Sequence, residues 1–301
     1  MNHIATLKTQ ARRLRLGTLA QNLELRLQEA ASNQLPHAQF LELLLEDELA
    51  GREGKAMARA TKAAAFRDHR SLSDFDFSFN PSIPRPRIQQ LATCQFIAEA
   101  RDVLLIGPPG VGKSHLAQAI GREAIRRGHK VYYRSIFDLV RDLSEESRTA
   151  EECARAHTVL NRYLKPDLLI IDDMGMKTLP AHSAEVLLEI IVRRNELRST
   201  IMTSNRPIEQ WAELLGDLPA AGAILDRLLY RAEIIAIDGR SHRLAQGVAH
   251  HRQHEPKSAP RKLEPGELTT GAGGSDELGV GPFSPPTPMD NSPLPKPKQT
   301  P

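Results

Sequence analysis

Residues 107–114 read Gly-Pro-Pro-Gly-Val-Gly-Lys-Ser, which fills every fixed position of the phosphate-binding pattern G-x-x-x-x-G-K-[ST]. The apolar run Val103–Ile106 precedes the loop and predicts a buried strand, and the stretch from His115 to Arg127 follows with helical spacing. A strand, a loop and a helix in this order are the context that the pattern requires. A glycine-rich turn that happens to contain a lysine would not require this order. The sequence therefore predicts an α/β domain that binds a nucleotide.

The residues of this loop have separate expected roles. The glycines let the backbone fold tightly, so that N–H groups can point at phosphate oxygens from a helix N-terminus. We expect Lys113 to reach the β- and γ-phosphates and the Ser114 hydroxyl to ligate Mg²⁺. The expected nucleotide contacts are Gly107, Pro108, Pro109, Gly110, Val111, Gly112, Lys113, Ser114 and His115. ATP and Mg²⁺ are thus the expected ligand and cofactor.

Composition limits the class of protein. The 301 residues can hold one large or two modest domains, and the formal net charge of +3 means that any contact with nucleic acid must come from a local patch. The isolated Cys94 and Cys153 fit no disulfide or zinc spacing. No apolar run approaches the roughly 18 residues that span a bilayer. We expect a cytoplasmic protein with no membrane partner.

Residues 1–70 predict a small all-α domain. A first helical run carries Leu7, Leu16, Leu19, Leu23 and Leu27, and Pro36 suits the first turn of a second helix. From Gly51 a basic helix is predicted, on which Arg52, Lys55, Arg59 and Lys62 form one stripe with spacings of three, four and three residues. We predict that this basic stripe binds DNA, and the alternative is a solvated helix face. Ordinary solvated faces mix both charges, whereas no acid lies between Glu53 and Asp68.

The rest of the chain divides into three parts. Residues 71–86 are predicted to be an extended connecting strap, whose alternating Phe75, Phe77 and Phe79 pack one buried face. Residues 87–246 alternate strands and helices, which indicates a parallel five-stranded sheet. The expected strands are Val103–Ile106, Val131–Arg134, Leu168–Asp172, Thr200–Thr203 and Ile234–Ile237. Residues 247–301 are rich in proline, glycine and charge and predict a disordered tail.

Two acids follow a buried strand about sixty residues after the loop. Leu168 to Ile171 are apolar, and Asp172 and Asp173 come next, which is the Walker B arrangement. A parallel strand delivers such carboxylates to the edge of the sheet where phosphates bind. We expect Asp172 to hold Mg²⁺ and Asp173 to orient and activate the attacking water.

Three further polar residues are candidates for the site. Asn205 ends the next strand. In ATPases that insert a strand between the loop strand and the Walker B strand, a polar residue at this position contacts the γ-phosphate and the attacking water. The alternative role for Asn205 is a helix N-cap before Pro207. Arg227 is our candidate arginine finger, acting in trans from a neighbouring subunit. Arg243 could approach the phosphates in cis, and either arginine could instead form a structural ion pair.

Several stretches together resemble a known family. They are Gly107-Pro-Pro-Gly-Val-Gly-Lys-Ser-His-Leu-Ala117, Thr203-Ser204-Asn205, Trp211, Ala223-Ile-Leu-Asp-Arg-Leu-Leu229, Gly239-x-Ser241-x-Arg243, Phe40-Leu41-x-x-Leu44-Leu45-x-x-Glu48 and Leu72-Ser-Asp-Phe-Asp-Phe77. Residues 5–245 thereby resemble AAA+ ATPases of the initiator and helicase-loader group, and most of all the IstB-like helper ATPases of insertion sequences. Many relatives have glutamate at position 173, and the shorter Asp173 would place the water less well.

The resemblance implies a bacterial ATPase that binds double-stranded DNA largely without sequence preference. It also implies homo-oligomers formed through the ATPase domain and the recruitment and stimulation of a cognate transposase. The alternative is a DnaC-like replicative helicase loader, which predicts an N-terminal domain that docks on protein. A small-molecule P-loop kinase is a further alternative, but it would need a second substrate pocket and an arginine-rich lid, and the segment between the first two Walker motifs shows no clear lid. A protein that uses ATP only as a structural ligand is disfavoured, because it would not need Asp172, Asp173, Asn205 and Arg227 together.

Overall fold

The computed structural model describes residues 3–143, 150–180 and 183–244, and the predicted tail lies outside these residues. The described residues form five strands, which are Val103–Ile106 (β1), Val131–Ser135 (β2), Leu168–Met174 (β3), Ser199–Ser204 (β4) and Glu233–Ala236 (β5). The five predicted strands are confirmed, and their ends differ from the prediction by at most two residues.

All neighbouring strands pair in parallel, in the order β2-β3-β4-β1-β5. The strand β4 is therefore inserted between β1, which leads into the phosphate-binding loop, and β3, which ends in the acidic pair. Because all strands run in the same direction, the residues that follow β1, β3 and β4 meet at one edge of the sheet. This arrangement confirms the predicted α/β fold with a parallel five-stranded sheet.

Helices cover both faces of the sheet. They are His3–Arg13 (α1), Gly17–Asn33 (α2), His37–Ala64 (α3), Arg85–Leu91 (α4), Gln95–Ala98 (α5), Lys113–Arg126 (α6), Ile136–Leu143 (α7), Ala150–Leu164 (α8), Ser183–Arg194 (α9), Trp211–Leu215 (α10) and Leu218–Tyr230 (α11). Alternate strand residues face opposite sides, so Ile170 packs with α6 whereas Leu169 and Ile171 pack with α7 and α9. No helix in the described ranges is long and apolar enough to cross a membrane.

The N-terminal helix boundaries were predicted wrongly in two places. The first leucine run is divided between α1 and α2, because the chain turns at Arg15, whose φ of 60° lies in the left-handed region. The predicted second helix and basic helix are one continuous helix, α3, which begins after Pro36 and passes through Gly51. A side chain at position 51 would collide with Thr18 of α2. Glycine here lets the two helices approach closely, and it does not end α3.

A buried carboxylate joins α2 to α3. Glu48 Oε2 accepts hydrogen bonds from the backbone N–H groups of Thr18 at 2.8 Å and Leu19 at 2.9 Å, at the start of a helix whose N-cap, Leu16, offers no side-chain acceptor. Burial raises the pKa of Glu48, but hydrogen bonds from Leu19, Arg52 and Thr18 outweigh this effect and hold the pKa below its ordinary value. Glu48 thus supplies the cap that the sequence of α2 lacks.

The strap at residues 71–86 was predicted to be extended, but it consists of turns up to the start of α4. Local hydrogen bonds explain the difference, since Asp76 Oδ1 accepts from the Ser78 N–H at 2.8 Å, in the manner of an Asx turn. The expected alternation of burial persists, and Phe75 and Phe77 pack against the core between the sheet and α6. Just before the strap, the Asp68 N–H donates to Gln118 Oε1 at 3.0 Å, which links this segment to α6.

Candidate active site

The phosphate-binding loop lies between β1 and α6 at the carboxyl edge of the sheet. Gly110 and Gly112 have φ values of 84° and 108°, in the region that favours glycine. A side chain at Gly110 would also collide with Ser241, and a Cβ at Gly112 would lie 2.8 Å from the Phe75 ring. Both glycines are therefore required by backbone conformation and by space.

A cavity of about 360 Å³ opens over this loop. Of the predicted site residues, it is lined by Pro109, Gly110, Val111, Gly112, Lys113, Ser114, His115, Asp173, Asn205 and Arg243. Gly107, Pro108 and Asp172 do not line the cavity, but each accepts a hydrogen bond from a residue that does: the two carbonyls from Lys113, and Asp172 from Ser114. The fold thus brings together residues that are up to 136 positions apart along the chain (243 minus 107).

Lys113 lies buried at the N-terminus of α6. Its Nζ donates hydrogen bonds to the carbonyl oxygens of Gly107 at 2.7 Å and Pro108 at 2.8 Å. Burial lowers the pKa of Lys113 to about 8, although Asp172 and Asp173 oppose this shift. An ammonium group whose hydrogen-bond acceptors are neutral carbonyls is well suited to receive the charge of a phosphate.

Asp172 and Ser114 form the candidate Mg²⁺ site. Ser114 Oγ donates to Asp172 Oδ1 at 2.8 Å, and the carboxylate is almost completely buried. One hydroxyl and one carboxylate are hard oxygen ligands of the kind that Mg²⁺ prefers. Among the described residues, no group of three or more His, Cys, Asp or Glu side chains could hold a metal by itself. The phosphates and water would have to complete the shell, which is how nucleotide-bound Mg²⁺ is usually held.

Two side chains that sequence reasoning missed hold Asp172 in place. Tyr133 OH donates to Asp172 Oδ2 at 2.6 Å, and Thr203 Oγ1 donates to Asp172 Oδ1. Tyr133 lies on β2 and Thr203 on β4, which are the two neighbours of β3 in the sheet. Neither residue belongs to the Walker B pattern itself, and only the pairing of β3 with β2 and β4 shows that these two side chains reach Asp172.

Asp173 stands at the cavity wall in a left-handed conformation, with a φ of 65°. Its N–H donates to Thr203 Oγ1 at 3.1 Å, which helps to hold this uncommon backbone geometry. Burial and the charge of Asp172 raise the pKa of Asp173, while Arg67, Arg243 and Lys113 act in the opposite direction. A carboxylate with a raised pKa is a stronger base than an ordinary surface aspartate.

Asn205 and the two candidate arginines occupy different surroundings. Asn205 lines the cavity, and Pro207 rather than Asn205 is the N-cap residue of the next helical turn. Arg243 also lines the cavity, and within the described residues it forms no ion pair. Arg227 lies on α11 outside this cavity, where its Nη1 donates to the Ala223 carbonyl at 3.0 Å.

The strap also contributes to the cavity, although its phenylalanines were predicted to serve packing alone. Phe75 and Phe79 line the cavity, and the Phe79 ring contacts the His242 ring with 4.7 Å between centroids. Asn80 is buried beside them, and its Nδ2 has no hydrogen-bond partner in the described part of the chain. The Phe75 and Phe79 rings are therefore the part of the strap that fits the flat face of a nucleotide base.

The four residues of the basic stripe differ in how many contacts their charged groups make within the protein. Arg52 Nε donates to Glu48 at 2.9 Å and Arg52 Nη2 to the Arg15 carbonyl at 3.2 Å, so part of its role is structural. Lys55 Nζ lies 3.4 Å from Thr18 Oγ1. Arg59 and Lys62 are exposed, and no ion pair to them is found within the described residues.

Comparison with known proteins agrees with this geometry. Residues 9–249 match a family model described as IstB-like ATP binding protein. The chain is 36% identical over 234 residues to an ATP-binding protein of insertion sequence IS5376 from Geobacillus stearothermophilus, covering 78% of this chain and 92% of that one. It is 35% identical to the corresponding protein of IS21 from Pseudomonas aeruginosa, covering 78% and 87%. Among solved structures, DnaI is 27% identical with a TM-score of 0.45, covering 57% of this chain and 90% of DnaI.

Proposed function

We propose that this chain, which belongs to the IstB-like family of insertion-sequence ATP-binding proteins, is an ATPase that assembles on target DNA and recruits or stimulates a transposase. The observation that carries the ATPase part is the contact of Ser114 with Asp172 at 2.8 Å, with Lys113 and Asp173 in the same site. Membership of this family favours the transposition helper over the helicase loader.

The site residues have complementary roles in the proposed hydrolysis. Lys113 binds the β- and γ-phosphates, and Ser114 and Asp172 hold Mg²⁺, which supplies charge neutralisation on the phosphates when bound. Asp173 accepts a proton from the water whose oxygen forms the new bond to the γ-phosphorus. The bond from that phosphorus to the β–γ bridging oxygen breaks, and ADP and phosphate are the products. Asn205 can hold the water and a γ-phosphate oxygen because an amide both donates and accepts.

The position of Arg227 supports an assembly in which one subunit completes the site of the next. In its own subunit the guanidinium bonds to its own helix and does not line the cavity. A finger acting in trans would couple the nucleotide state to subunit contact. Homo-oligomers would then align many copies of the basic stripe along a duplex, so that weak contacts by single subunits add up to tight binding.

The experiment that tests this function measures ATP hydrolysis with and without duplex DNA, together with the mass of the assembly in ATP, in ADP and without nucleotide. We expect phosphate release that rises with duplex DNA and a larger assembly in ATP. Tight ATP binding with no phosphate release, even with DNA present, would contradict the ATPase part. A transposase reading frame beside the gene would support the helper, and a replication context would support the loader.

Replacing Lys55, Arg59 and Lys62 together with alanine is expected to weaken duplex binding to a similar degree for all sequences. Alanine keeps the helix propensity of α3 high, so the fold should survive. Each lost phosphate contact should reduce the slope of log affinity against log salt by about 0.9, multiplied by the number of subunits engaged. Titrations at several salt concentrations measure this slope.

A matched control removes three positive charges elsewhere. Arg126, Arg141 and Arg193 are exposed arginines on other helices, and each pairs with an acid on its own helix. Their triple alanine variant should keep most of the salt slope. If the stripe variant is folded by circular dichroism and its slope equals that of the wild type, the stripe is a solvated face and another surface binds DNA.

A further inference from the structure

A groove of about 650 Å³ lies between the C-terminal part of α3 and α6, the helix that follows the phosphate-binding loop. Its α3 wall is one helix face, on which Ala58 and Lys62 are four residues apart and Thr61 lies beside them. Arg122 forms part of the α6 wall, and Phe66, just after the end of α3, also lines the groove. The groove thus has a lysine on one wall and an arginine on the other.

Arg122 is held in this groove by two uncharged partners. Its guanidinium stands over the Phe66 ring, with 5.7 Å from Cζ to the ring centroid. Its Nη2 donates to His69 Nδ1 at 2.6 Å, and since a guanidinium can only donate, this ring nitrogen is the acceptor. No carboxylate pairs with Arg122 within the described residues, so its orientation is fixed while its positive charge stays uncompensated.

The other charged groups along the groove already have partners of opposite charge. Asp68 is the one acid among the described residues that line it, and Asp68 Oδ2 lies 3.6 Å from Arg70 Nε. Arg67 also lines the groove, and its Nη1 lies 3.4 Å from Asp173 Oδ2. Neither pair adds a net charge, so the net positive charge of the groove comes from its lysine and from Arg122.

Lys62 connects the groove to the basic stripe, because it belongs to both. It is exposed, and no ion pair to it is found within the described part of the chain. Arg59 stands about one helical turn earlier on the same exposed surface. A small anion could contact the groove alone, whereas a polyanion can contact the groove and the stripe together and gains affinity from both. Cations on facing walls beside a row of further cations suit the backbone of a nucleic acid.

We propose that this groove binds a backbone phosphate of duplex DNA, with Lys62 and Arg122 as its two cations, so that one strand contacts α3 and α6 together. The inference rests on the proposed function, since it names a further surface by which the same chain holds DNA. Arg122 extends the expected contact beyond the stripe, whose four residues all lie on α3. A planar guanidinium can present two N–H groups to two phosphate oxygens.

This site places the two ligands of the proposed function on one helix. Lys113 is the first residue of α6, and Arg122 lies nine residues later (122 minus 113), which is a rise of about 13 Å. DNA held by Arg122 and a nucleotide held by Lys113 therefore contact the same rigid element. A phosphate between Lys62 and Arg122 also holds α6 against α3.

The test measures the binding of a fluorescently labelled duplex of mixed sequence to the full chain, with ATP present and at several salt concentrations. In Arg122→Ala we expect duplex affinity to fall about tenfold or more, the effect of losing one charge-assisted hydrogen bond. The slope of log affinity against log salt should fall by about 0.9 for each engaged subunit, with ATP affinity unchanged. Arg122→Lys keeps the charge and should retain most of the slope.

Arg126→Ala is the matched control, because Arg126 is an exposed arginine one turn further along α6 and outside the groove, with its Nη1 2.6 Å from Glu123 Oε1. It should keep both the duplex affinity and the salt slope of the wild type. A folded Arg122→Ala variant with wild-type affinity and slope would overturn the inference.

A second pair of variants decides the question if Arg122→Ala does not fold. Ala58 is exposed on the α3 wall, so Ala58→Glu adds a carboxylate that can pair with Lys62 one turn later, and Ala58→Gln adds a neutral side chain of similar size. Both glutamate and glutamine have high helix propensity. Ala58→Glu should bind the duplex several-fold more weakly than Ala58→Gln, and equal binding by the two would contradict the proposed site.

The wild-type measurement separates this inference from the proposed function. A chain that binds duplex DNA with a clear salt slope, while the groove variants bind as tightly as the wild type, loses only the groove as a DNA site. A wild-type chain that hydrolyses ATP but binds no duplex DNA overturns the DNA part of the proposed function, and this inference with it.

Discussion

Lys113→Ala is expected to weaken ATP binding by about 10²-fold or more, the loss that follows when one partner of a buried charge pair is removed. The Lys113 ammonium is buried against the carbonyls of Gly107 and Pro108, with no other cation within the loop. Backbone N–H groups alone cannot replace its charge on the β- and γ-phosphates. If assembly requires ATP, DNA binding falls in the same variant.

Calorimetric titration with ATP and a DNA-binding assay in the presence of ATP measure both effects. Lys130→Ala is a suitable control, because Lys130 is an exposed lysine just before β2 and away from the cavity. Unchanged ATP affinity in Lys113→Ala would remove Lys113 from the site. Weakened ATP binding with wild-type DNA affinity would instead refute the proposed coupling between nucleotide and DNA.

Arg227→Ala is expected to leave ATP affinity nearly intact and to reduce hydrolysis by about 10³-fold or more, as for an arginine finger. Affinity should persist because Arg227 lies outside the cavity of its own subunit. Hydrolysis should fail because charge on the transferred phosphoryl group is no longer neutralised from the neighbouring subunit. Arg231→Ala, at the exposed end of the same helix, should retain hydrolysis.

Mixing Arg227→Ala with Lys113→Ala subunits tests the assignment in trans. Where an Arg227→Ala subunit with an intact loop meets a Lys113→Ala subunit with an intact finger, one complete site forms. Some hydrolysis should therefore return, at a level that depends on the mixing ratio. A mixture as inactive as its two components would argue against a finger acting in trans.

The sequence predicted the strands of the sheet well, and the physical reason is local. Runs such as Val103–Ile106 are short, apolar and bounded by turn-forming residues. These local features identify a strand even when the strands that pair with it are unknown. The helix boundaries before residue 70 were harder to predict. The chain turns at Arg15, while the nearby glycine, Gly17, is the first residue of α2, and Gly51 stays helical because it packs against Thr18 of another helix.

The candidate site divides in the same way. Gly107–Ser114 and the pair Asp172 and Asp173 are recognisable as motifs, because phosphate and metal chemistry needs those residue types at fixed positions next to a strand. The partners of these motifs have no such spacing. Tyr133 reaches Asp172 only because β2 pairs with β3, and Phe79 and Asn80 line the cavity only because the strap folds back over the loop.

The sequence by itself therefore determined the fold class, the approximate strand positions and the residue types expected at the phosphate and metal. The tertiary structure alone decided the contact of Tyr133 with Asp172, the capping of α2 by Glu48 and the contact of Arg67 with Asp173. The physical reason is range. Local propensity and motif chemistry act between residues that are close together in the chain. Arg67 and Asp173 are 106 residues apart, and they meet only when the packing of the whole domain offsets the entropic cost of closing the loop between them.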